Sequence, residues 1–319
     1  MTNSQQAPAR ILIAGAGAIG AFYGAALQAA GAEVSVACRS EYETVREHGY
    51  RIHSGQLGER QLRPAQTLRS VAGYQGGAPD YLVLCVKVVE GVDRVALIRG
   101  AVGPDTAIVL IENGIEIEQE IAQAFPGNEL ISALAFVQAS RVAPGEVRHF
   151  AFGALTFGNY PNGISPRAQR FAALLEAGNI NCTLTENVAA VRWQKCMWNA
   201  VFNPVSVLGG VLDTDDILGA SEGAPLVQRA MQEVCAIAAA AGHPIPAGLP
   251  AQFIEGTRKA PPYKTSMALD FENARAMEVE AILGNTVRAG RREKVAIPIL
   301  ETLYALLKMV ERKAAKRAV

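Results

Sequence analysis

Hydrophobic and polar positions follow two different patterns along the chain, and the change falls near residue 186. Before it, short apolar runs separated by turn residues predict buried strands. Continuous apolar runs of this length are typical of parallel strands covered on both faces. The first part is therefore predicted to be an α/β unit, with a mainly parallel sheet and helices on both faces. The predicted strands are Arg10–Ala14, Glu33–Cys38, Asp80–Val86, Ala107–Ile111 and Glu129–Val137.

Two further stretches of the first part have weaker strand patterns. Tyr50–Leu62 is interrupted by glycine and charge and predicts short antiparallel strands. Pro144-Gly145 predicts a turn that introduces a hairpin, in which Glu146–Phe150 pairs with Ala154–Phe157 at the edge of the sheet.

Helical periodicity replaces the strand pattern after residue 186, so we expect two domains, 1–186 and 187–319, the second all-α. A first helix includes Trp193 and is predicted to end or kink at Asn203, because Pro204 disfavours helical geometry in the residue before it. A second helix is predicted from Ser266 to Arg291. A third, Ile299–Lys316, is amphipathic and is expected to bury one side, formed by Leu300, Leu303, Leu306, Leu307 and Val310.

The composition excludes several classes of function. The 319 residues contain 30 basic and 30 acidic side chains, which gives no strong field for nucleic acid or an anionic membrane. The five cysteines and four histidines show neither a CxxC motif nor a ligand spacing, so we expect reduced thiols, no metal and a cytoplasmic protein. Ile11–Ala32 is uncharged, but its five glycines make it a poor membrane helix.

A glycine-rich turn joins the first predicted strand to a helical pattern, as a dinucleotide site requires. The first glycine permits the tight turn, the second leaves room for a pyrophosphate, and the third lets the helix lie close to the strand. The N–H groups at the start of the helix then face the phosphates. This motif predicts a Rossmann-like domain whose cofactor-binding turn consists of Gly15, Ala16, Gly17, Ala18, Ile19 and Gly20.

The end of the second predicted strand indicates which dinucleotide binds. NAD sites usually place a carboxylate there, whereas this chain has Cys38-Arg39-Ser40 and no carboxylate before Glu41. The planar guanidinium of Arg39 suits a 2′-phosphate, so we predict NADP(H); a solvated surface arginine is the alternative. Lys87 and Asn113 follow other buried strands, where ligands lie in open parallel sheets, although each could be an ordinary turn residue.

Lys195, Asn199 and Asn203 recur every four residues and therefore form one stripe on the first helix of the second domain. Apolar residues, among them Met197 and Trp198, surround this stripe. A polar stripe in apolar surroundings is costly unless it faces a polar ligand or network, and the alternative is a solvated face.

The chain resembles the ketopantoate reductase family (2-dehydropantoate 2-reductases) over nearly its whole length. The resemblance rests on GAGAIG at 15–20, Lys87 at a strand end, ENG ending at Gly114 and PGEVRH at 144–149. The more specific matches are WQKCMWNAVFNP at 193–204 and TSMALDFENARAMEVEAILG at 265–284.

This resemblance implies a Rossmann domain, an all-helical C-terminal domain and a site in the cleft between them. It implies that Lys195 is the catalytic general acid and that Glu278 is a second catalytic residue, which contributes to the ternary site. Asn113, Lys195, Asn199, Asn203 and Ser266 would contact the substrate. The glycine turn, Arg39, Lys87 and Asn113 would contact NADPH. The reaction is then the reduction of a 2-oxo acid, ketopantoate foremost, in pantothenate biosynthesis.

Near Glu278 the chain departs from the family pattern, with Met277 for a usual Thr and Leu283 for a usual Asn. The carboxylate is retained, so these changes bear on which 2-oxo acid is bound. Two alternatives stay open: a 3-hydroxyacid-dehydrogenase-like oxidoreductase, and a non-catalytic NADP(H)-sensing protein. The sequence also leaves open whether the chain forms a homodimer.

The Arg39 assignment yields a first prediction. Arg39→Ala should weaken NADPH binding by about one to two orders of magnitude, since a hydrogen bond to a charged group contributes about 1.5–3 kcal/mol. NADH binding should stay nearly unchanged, because NADH has no 2′-phosphate. Fluorescence titration with both cofactors measures this, and equal losses for the two would contradict it.

Overall fold

The computed structural model describes residues 7–317, and the side chains of 315–317 lie outside the description. The chain divides into two compact units, which we call the sheet unit and the helical unit. The sheet unit extends to Lys87 and then comprises Asp93–Glu112 and Glu118–Val188. The helical unit comprises Val88–Val92, Asn113–Ile117 and the chain from Ala189 onward. The domains predicted from the sequence, 1–186 and 187–319, place these two short segments in the first domain, whereas in the structure they belong to the helical unit.

The sheet unit is built on one mixed sheet, and its strands pair in the order β4-β3-β9-β8-β7-β6-β1-β2-β5, with β10 beside β9. The pairs from β8 through β7, β6, β1 and β2 to β5 are all parallel, which confirms the mainly parallel sheet. Between residues 7 and 317 the strands are β1 (Arg10–Ala14), β2 (Glu33–Ala37), β3 (Tyr50–Ser54), β4 (Gly58–Leu62), β5 (Thr67–Leu68), β6 (Tyr81–Leu84), β7 (Ala107–Ile111), β8 (Leu130–Ala143), β9 (Glu146–Asn159) and β10 (Cys182–Leu184).

Helices cover both faces of this sheet, as the buried apolar runs predict. Along β1, Ile11 and Ile13 belong to one apolar cluster, and Leu12 and Ala14 belong to another on the opposite face. Helices α1 and α5 contribute to the first cluster, and α3 and α4 to the second. The helices of the unit are α1 (Ala18–Ala29), α2 (Tyr42–His48), α3 (Arg94–Arg99), α4 (Gln119–Ala124) and α5 (Pro166–Ala177), with a 3-10 turn at Val71–Gly73.

The predicted hairpin after Pro144-Gly145 is wrong. Glu146–Phe150 and Ala154–Phe157 lie on the same strand, β9, which pairs antiparallel with β8 across the turn at residues 144–145. β9 also pairs with β3, so it lies inside the sheet and not at its edge. Phe152 and Gly153, with φ of 65° and 119°, interrupt β9 as a bulge. In the sequence this interruption resembles a turn between two strands.

The helical unit buries an apolar cluster that includes Met197, Phe202, Val234 and Leu300, each with no exposed surface. In the described chain beyond Leu184 no strand occurs, which confirms the all-α prediction for this part. Its helices are α6 (Val188–Leu208), α7 (Thr214–Gly219), α8 (Gly223–Ala240), α9 (Leu249–Lys259), α10 (Ser266–Glu272), α11 (Asn285–Arg292) and α12 (Pro298–Arg317), with a π-helical turn at Glu280–Gly284.

Of the two outcomes predicted at Asn203, an end or a kink, the end is wrong: helix α6 continues through Pro204 to Leu208. Proline removes one backbone donor inside the helix, which costs about 3 kcal/mol in an exposed helix. Here Pro204 and the two residues Ser206 and Val207 are buried, so the helix continues in packed surroundings.

The single helix predicted from Ser266 to Arg291 is also wrong. Helix α10 ends at Glu272, because Ala274 adopts a left-handed conformation with φ of 51°. The N–H groups of Ala274 and Arg275 then donate to the carbonyls of Phe271 and Asp270, as in a Schellman motif. This motif usually has glycine at the left-handed position, and because this chain has alanine there, no residue type signals the break. Glu278 consequently lies after the break and does not share a helix face with Ser266.

The C-terminal helix is confirmed as α12, with one correction to its predicted apolar side. Leu300, Leu303 and Leu307 are buried, whereas Leu306 is 44% exposed. In the described chain, 7–317, no helix combines the length and the low charge needed to span a membrane.

This contrast within α12 gives a stability prediction. Leu300→Ala should lower the free energy of unfolding by about 2–5 kcal/mol, because it removes a fully buried side chain and leaves a cavity. Leu306→Ala, the matched control, should change it by less than about 0.5 kcal/mol. Urea unfolding of both variants measures the difference, and equal losses would contradict the burial pattern.

Candidate active site

The glycine turn of the sheet unit begins directly after β1. Gly15 has φ of 84°, and a β-carbon at this position would overlap the side chain of Val86. The N–H groups of Gly15 and Ala16 both donate to the carbonyl of Ala37, at 3.1 and 3.2 Å, which ties the turn to the end of β2. Glycine is therefore required at residue 15 by both conformation and space.

The start of α1 fits the pyrophosphate of a dinucleotide. Gly17 caps the helix without a side-chain hydrogen bond, and a β-carbon built on it would have no heavy atom within 4 Å. The first N–H groups of a helix, here those of Ala18, Ile19 and Gly20, have no acceptor within the helix. Together with the positive end of the helix dipole, they form an anion site of the kind that phosphates bind.

Arg39 and Lys87 lie at the same edge of the sheet as the glycine turn. Arg39 is exposed and follows β2, next to β1 in the sheet. Lys87 is partly buried and directly follows Val86, which packs against Gly15. Both positions suit contact with a dinucleotide bound at the turn.

In the helical unit, three predicted side chains form one hydrogen-bonded chain. The ammonium of Lys195 donates to Asn113 Oδ1 at 2.9 Å. Asn113 Nδ2 donates to Glu278 Oε2 at 3.0 Å. Glu278, which is 7% exposed, also accepts from the backbone N–H of Val88 at 3.1 Å through Oε1. The asparagine amide thus links the cation to the carboxylate.

Close backbone packing fixes this chain of contacts. Gly114 has φ of 107°, and a β-carbon there would lie 2.5 Å from the carbonyl oxygen of Ala281. The next N–H, of Ile115, donates to that same carbonyl at 3.2 Å. Ala281 belongs to the π-helical turn that starts two residues after Glu278. Asn113 and Glu278 are therefore held by two segments in direct contact, and π-helical turns are frequent at functional sites.

The surroundings of Lys195 change its acidity. Burial lowers the pKa of Lys195 to about 8, and the charge of Arg192 acts in the same direction. The carboxylate of Glu278 opposes both effects, because an opposite charge favours the ammonium. A lysine whose pKa lies near neutrality is able to exchange a proton at physiological pH.

The remaining predicted substrate residues occupy different environments. Asn203 is 1% exposed, and neither atom of its side-chain amide has a hydrogen-bond partner in the part of the chain that the structure describes. Such a group is costly unless water or a ligand satisfies it. Asn199 is partly buried on the same helix. Ser266 is exposed, as the first residue of α10.

The structure adds two groups that sequence reasoning missed. Arg192 is buried and donates to the carbonyl of Gly114 at 3.1 Å, which fixes the turn that carries Asn113. Arg192 lies three residues before Lys195 and therefore on the same side of the helix, which is the sequence signal that could have identified it. The backbone N–H of Val88 gives no sequence signal, because any residue supplies it.

The two departures from the family pattern lie in the apolar cluster of the helical unit. Met277 is 5% exposed and Leu283 has no exposed surface. Both side chains pack beside the segment that carries Glu278. Neither side chain supplies the hydrogen bonds to the Glu278 carboxylate given above, which come from Asn113 and Val88.

Comparison with known proteins agrees with this geometry. The family model described as ketopantoate reductase PanE/ApbA matches residues 11–162, and the model of its C-terminal part matches residues 187–311. A 2-dehydropantoate 2-reductase of Nostoc is 31% identical over 304 residues, covering 94% of each chain.

Solved structures give the same result. The crystal structure of 2-dehydropantoate 2-reductase from Methylococcus capsulatus is 55% identical, with a TM-score of 0.90, and covers 95% of this chain and 97% of that one. The ternary structure of D-mandelate dehydrogenase with NADH and anilino(oxo)acetate is 22% identical, with a TM-score of 0.86, and covers 96% of this chain and 99% of that one. At this identity the second likeness shows the fold alone.

The two family models together match most of the chain, and the relatives named above match it over nearly its full length. The chain belongs to the ketopantoate reductase family, a family of nicotinamide-dependent oxidoreductases that act on CH–OH groups.

Proposed function

We propose that this protein reduces a 2-oxo acid to a 2-hydroxy acid with NADPH, and that 2-dehydropantoate (ketopantoate) is its substrate. The observation that carries the proposal is the chain from Lys195 through Asn113 to Glu278. It supplies a lysine of lowered pKa with a carboxylate beyond it, which is what protonation of a ketone oxygen requires.

Most residues proposed to bind the cofactor belong to the sheet unit, and Asn113 belongs to the helical unit. The turn from Gly15 to Gly20 would hold the pyrophosphate, Arg39 the 2′-phosphate, and Lys87 and Asn113 the remainder of NADPH. When bound, the reduced nicotinamide supplies a hydride to the ketone carbon. The alternative of a protein that only senses NADP(H) does not account for a lysine of lowered pKa hydrogen-bonded towards a carboxylate.

Lys195 would act on the ketone oxygen. As negative charge develops there, the ammonium stabilises it and donates a proton, a contribution of about 10²–10⁴-fold for a positioned general acid. Asn113 would align the ammonium by accepting one of its hydrogens, and Glu278 favours its protonated form. The fixed charge costs no reorganisation during the reaction.

Polar side chains that carry no charge would bind the rest of the substrate. The amide of Asn203 has no partner in the described part of the chain, so a carboxylate or hydroxyl of a ligand would satisfy it. Asn199 lies one turn earlier on α6, and Ser266 offers a hydroxyl at the start of α10. All three remain proposed substrate contacts.

The choice of ketopantoate rests on the family and on relatives named for that reaction. The D-mandelate dehydrogenase structure of similar fold contains NADH and anilino(oxo)acetate. For this reason we include NADH and an aromatic 2-oxo acid among the compounds to be tested. The five cysteines are free, in keeping with our proposal of a cytoplasmic enzyme. Formation of a homodimer stays a proposal.

The first prediction of this section tests the reaction and the role of Lys195 together. The purified protein should oxidise NADPH fastest with ketopantoate in a panel that includes pyruvate, 2-oxoisovalerate and phenylglyoxylate. Lys195→Ala should lower kcat at least about 100-fold, through loss of the general acid. Its affinity for NADPH should stay unchanged.

Lys259→Ala is the matched control, since this lysine is exposed at the end of α9 and pairs only with Glu255 among the described residues. It should retain full turnover. Turnover of Lys195→Ala close to that of the control would refute the assigned role, and oxidation of NADPH with none of the panel would refute the reaction.

The second prediction concerns pH. Because Lys195 loses its proton above a pKa of about 8, kcat/KM should fall on the alkaline side of that value. Glu278→Gln removes a charge that raises this pKa, so the alkaline limb should move to lower pH. The measurement is kcat/KM against pH with deuterated NADPH, whose isotope effect reports on the hydride step. If the alkaline limb of Glu278→Gln lies at the same pH as that of the wild type, the proposed effect of Glu278 on the pKa of Lys195 is contradicted.

A further inference from the structure

Glu41 is the first carboxylate after β2, where NAD sites use an acidic side chain to bind the ribose 2′-hydroxyl. A glutamate three positions after Cys38 could in principle serve NADH in this way. In the structure, however, the Glu41 side chain is buried, with only 5% of its surface exposed, so it does not offer its carboxylate to a ribose. Arg39 and Ser40, just before it, are exposed.

One hydrogen bond and one ion pair, from the turn after β8 and from β8 itself, hold the Glu41 carboxylate. The backbone N–H of Gly145 donates to Oε1 at 3.0 Å. Arg141, near the end of β8, lies with Nη1 3.3 Å from Oε2. The same Nη1 donates to Ser40 Oγ at 3.3 Å, so one guanidinium connects β8 to the segment that follows β2.

We propose that Arg141 is a specificity-determining positioning residue. By holding Glu41 in its buried position, it keeps a negative charge away from the cofactor's ribose and makes the site select NADPH over NADH. This inference rests on the proposed function, in which NADPH binds at the glycine turn and Arg39.

The cost of an unpaired buried charge explains why the arrangement depends on Arg141. Without its guanidinium, the Glu41 carboxylate would keep one hydrogen bond, from Gly145, in a nearly dry position. A buried carboxylate without a cation is strongly destabilised, so the side chain would turn out to solvent. There it would repel a 2′-phosphate and accept a hydrogen bond from a 2′-hydroxyl.

The test measures dissociation constants for NADPH and NADH by fluorescence titration of each reduced cofactor. In Arg141→Gln the ratio that favours NADPH should fall about tenfold or more, the effect of about one charged hydrogen bond. Arg148→Gln, an exposed arginine on neighbouring β9, is the matched control and should keep the wild-type ratio.

The double variant Glu41→Gln with Arg141→Gln separates positioning from direct contact. Removal of the carboxylate should restore the wild-type ratio within about threefold. A ratio that stays low would overturn the proposal and show that Arg141 touches the phosphate itself. If Arg141→Gln alone fails to fold, as thermal unfolding would reveal, the double variant lacks the unpaired charge and can still overturn the proposal through a low ratio. A wild-type protein without preference for NADPH would instead refute the proposed cofactor.

Discussion

The hydrogen-bonded chain from Lys195 through Asn113 to Glu278 is the interaction on which the proposed chemistry depends. An ammonium in a buried place tends to lose its proton, whereas a carboxylate nearby restores it. The amide between them transmits orientation without neutralising either charge. In the proposed reaction, a lysine balanced in this way would be charged enough to stabilise an oxyanion and acidic enough to release its proton.

Much of the helical unit serves to hold that chain in place. Gly114 allows its turn to lie against the carbonyl of Ala281, and Arg192 fixes the same turn from α6. The break after α10 and the π-helical turn bring Glu278 out of a regular helix and onto the amide of Asn113. In this position the carboxylate is 7% exposed, so solvent weakens its effect on the lysine less than it would at the surface.

The sequence predicted most of the fold because apolar runs and turn residues report directly on buried strands. Ala107–Ile111 was predicted with its observed bounds, and the stripe on α6 followed from spacing alone. Three differences from the predicted structure share one cause, which is local geometry that a residue type does not reveal. Ala274 takes a conformation usual for glycine, Pro204 is tolerated inside a buried helix, and Phe152-Gly153 forms a bulge in place of a turn. The partners of Glu41 and Glu278 depend on contacts between distant segments and had no sequence signal.

The most direct test of the central claim replaces the amine itself. Lys195→Cys should be nearly inactive, and alkylation with 2-bromoethylamine should rebuild a lysine-like side chain at that position. We expect this treatment to restore turnover and to move the alkaline limb to lower pH, because the electron-withdrawing thioether lowers the pKa of the new amine. Wild-type protein treated in the same way controls for the other cysteines. An aminoethylated variant that binds NADPH but stays as slow as Lys195→Cys would contradict the account.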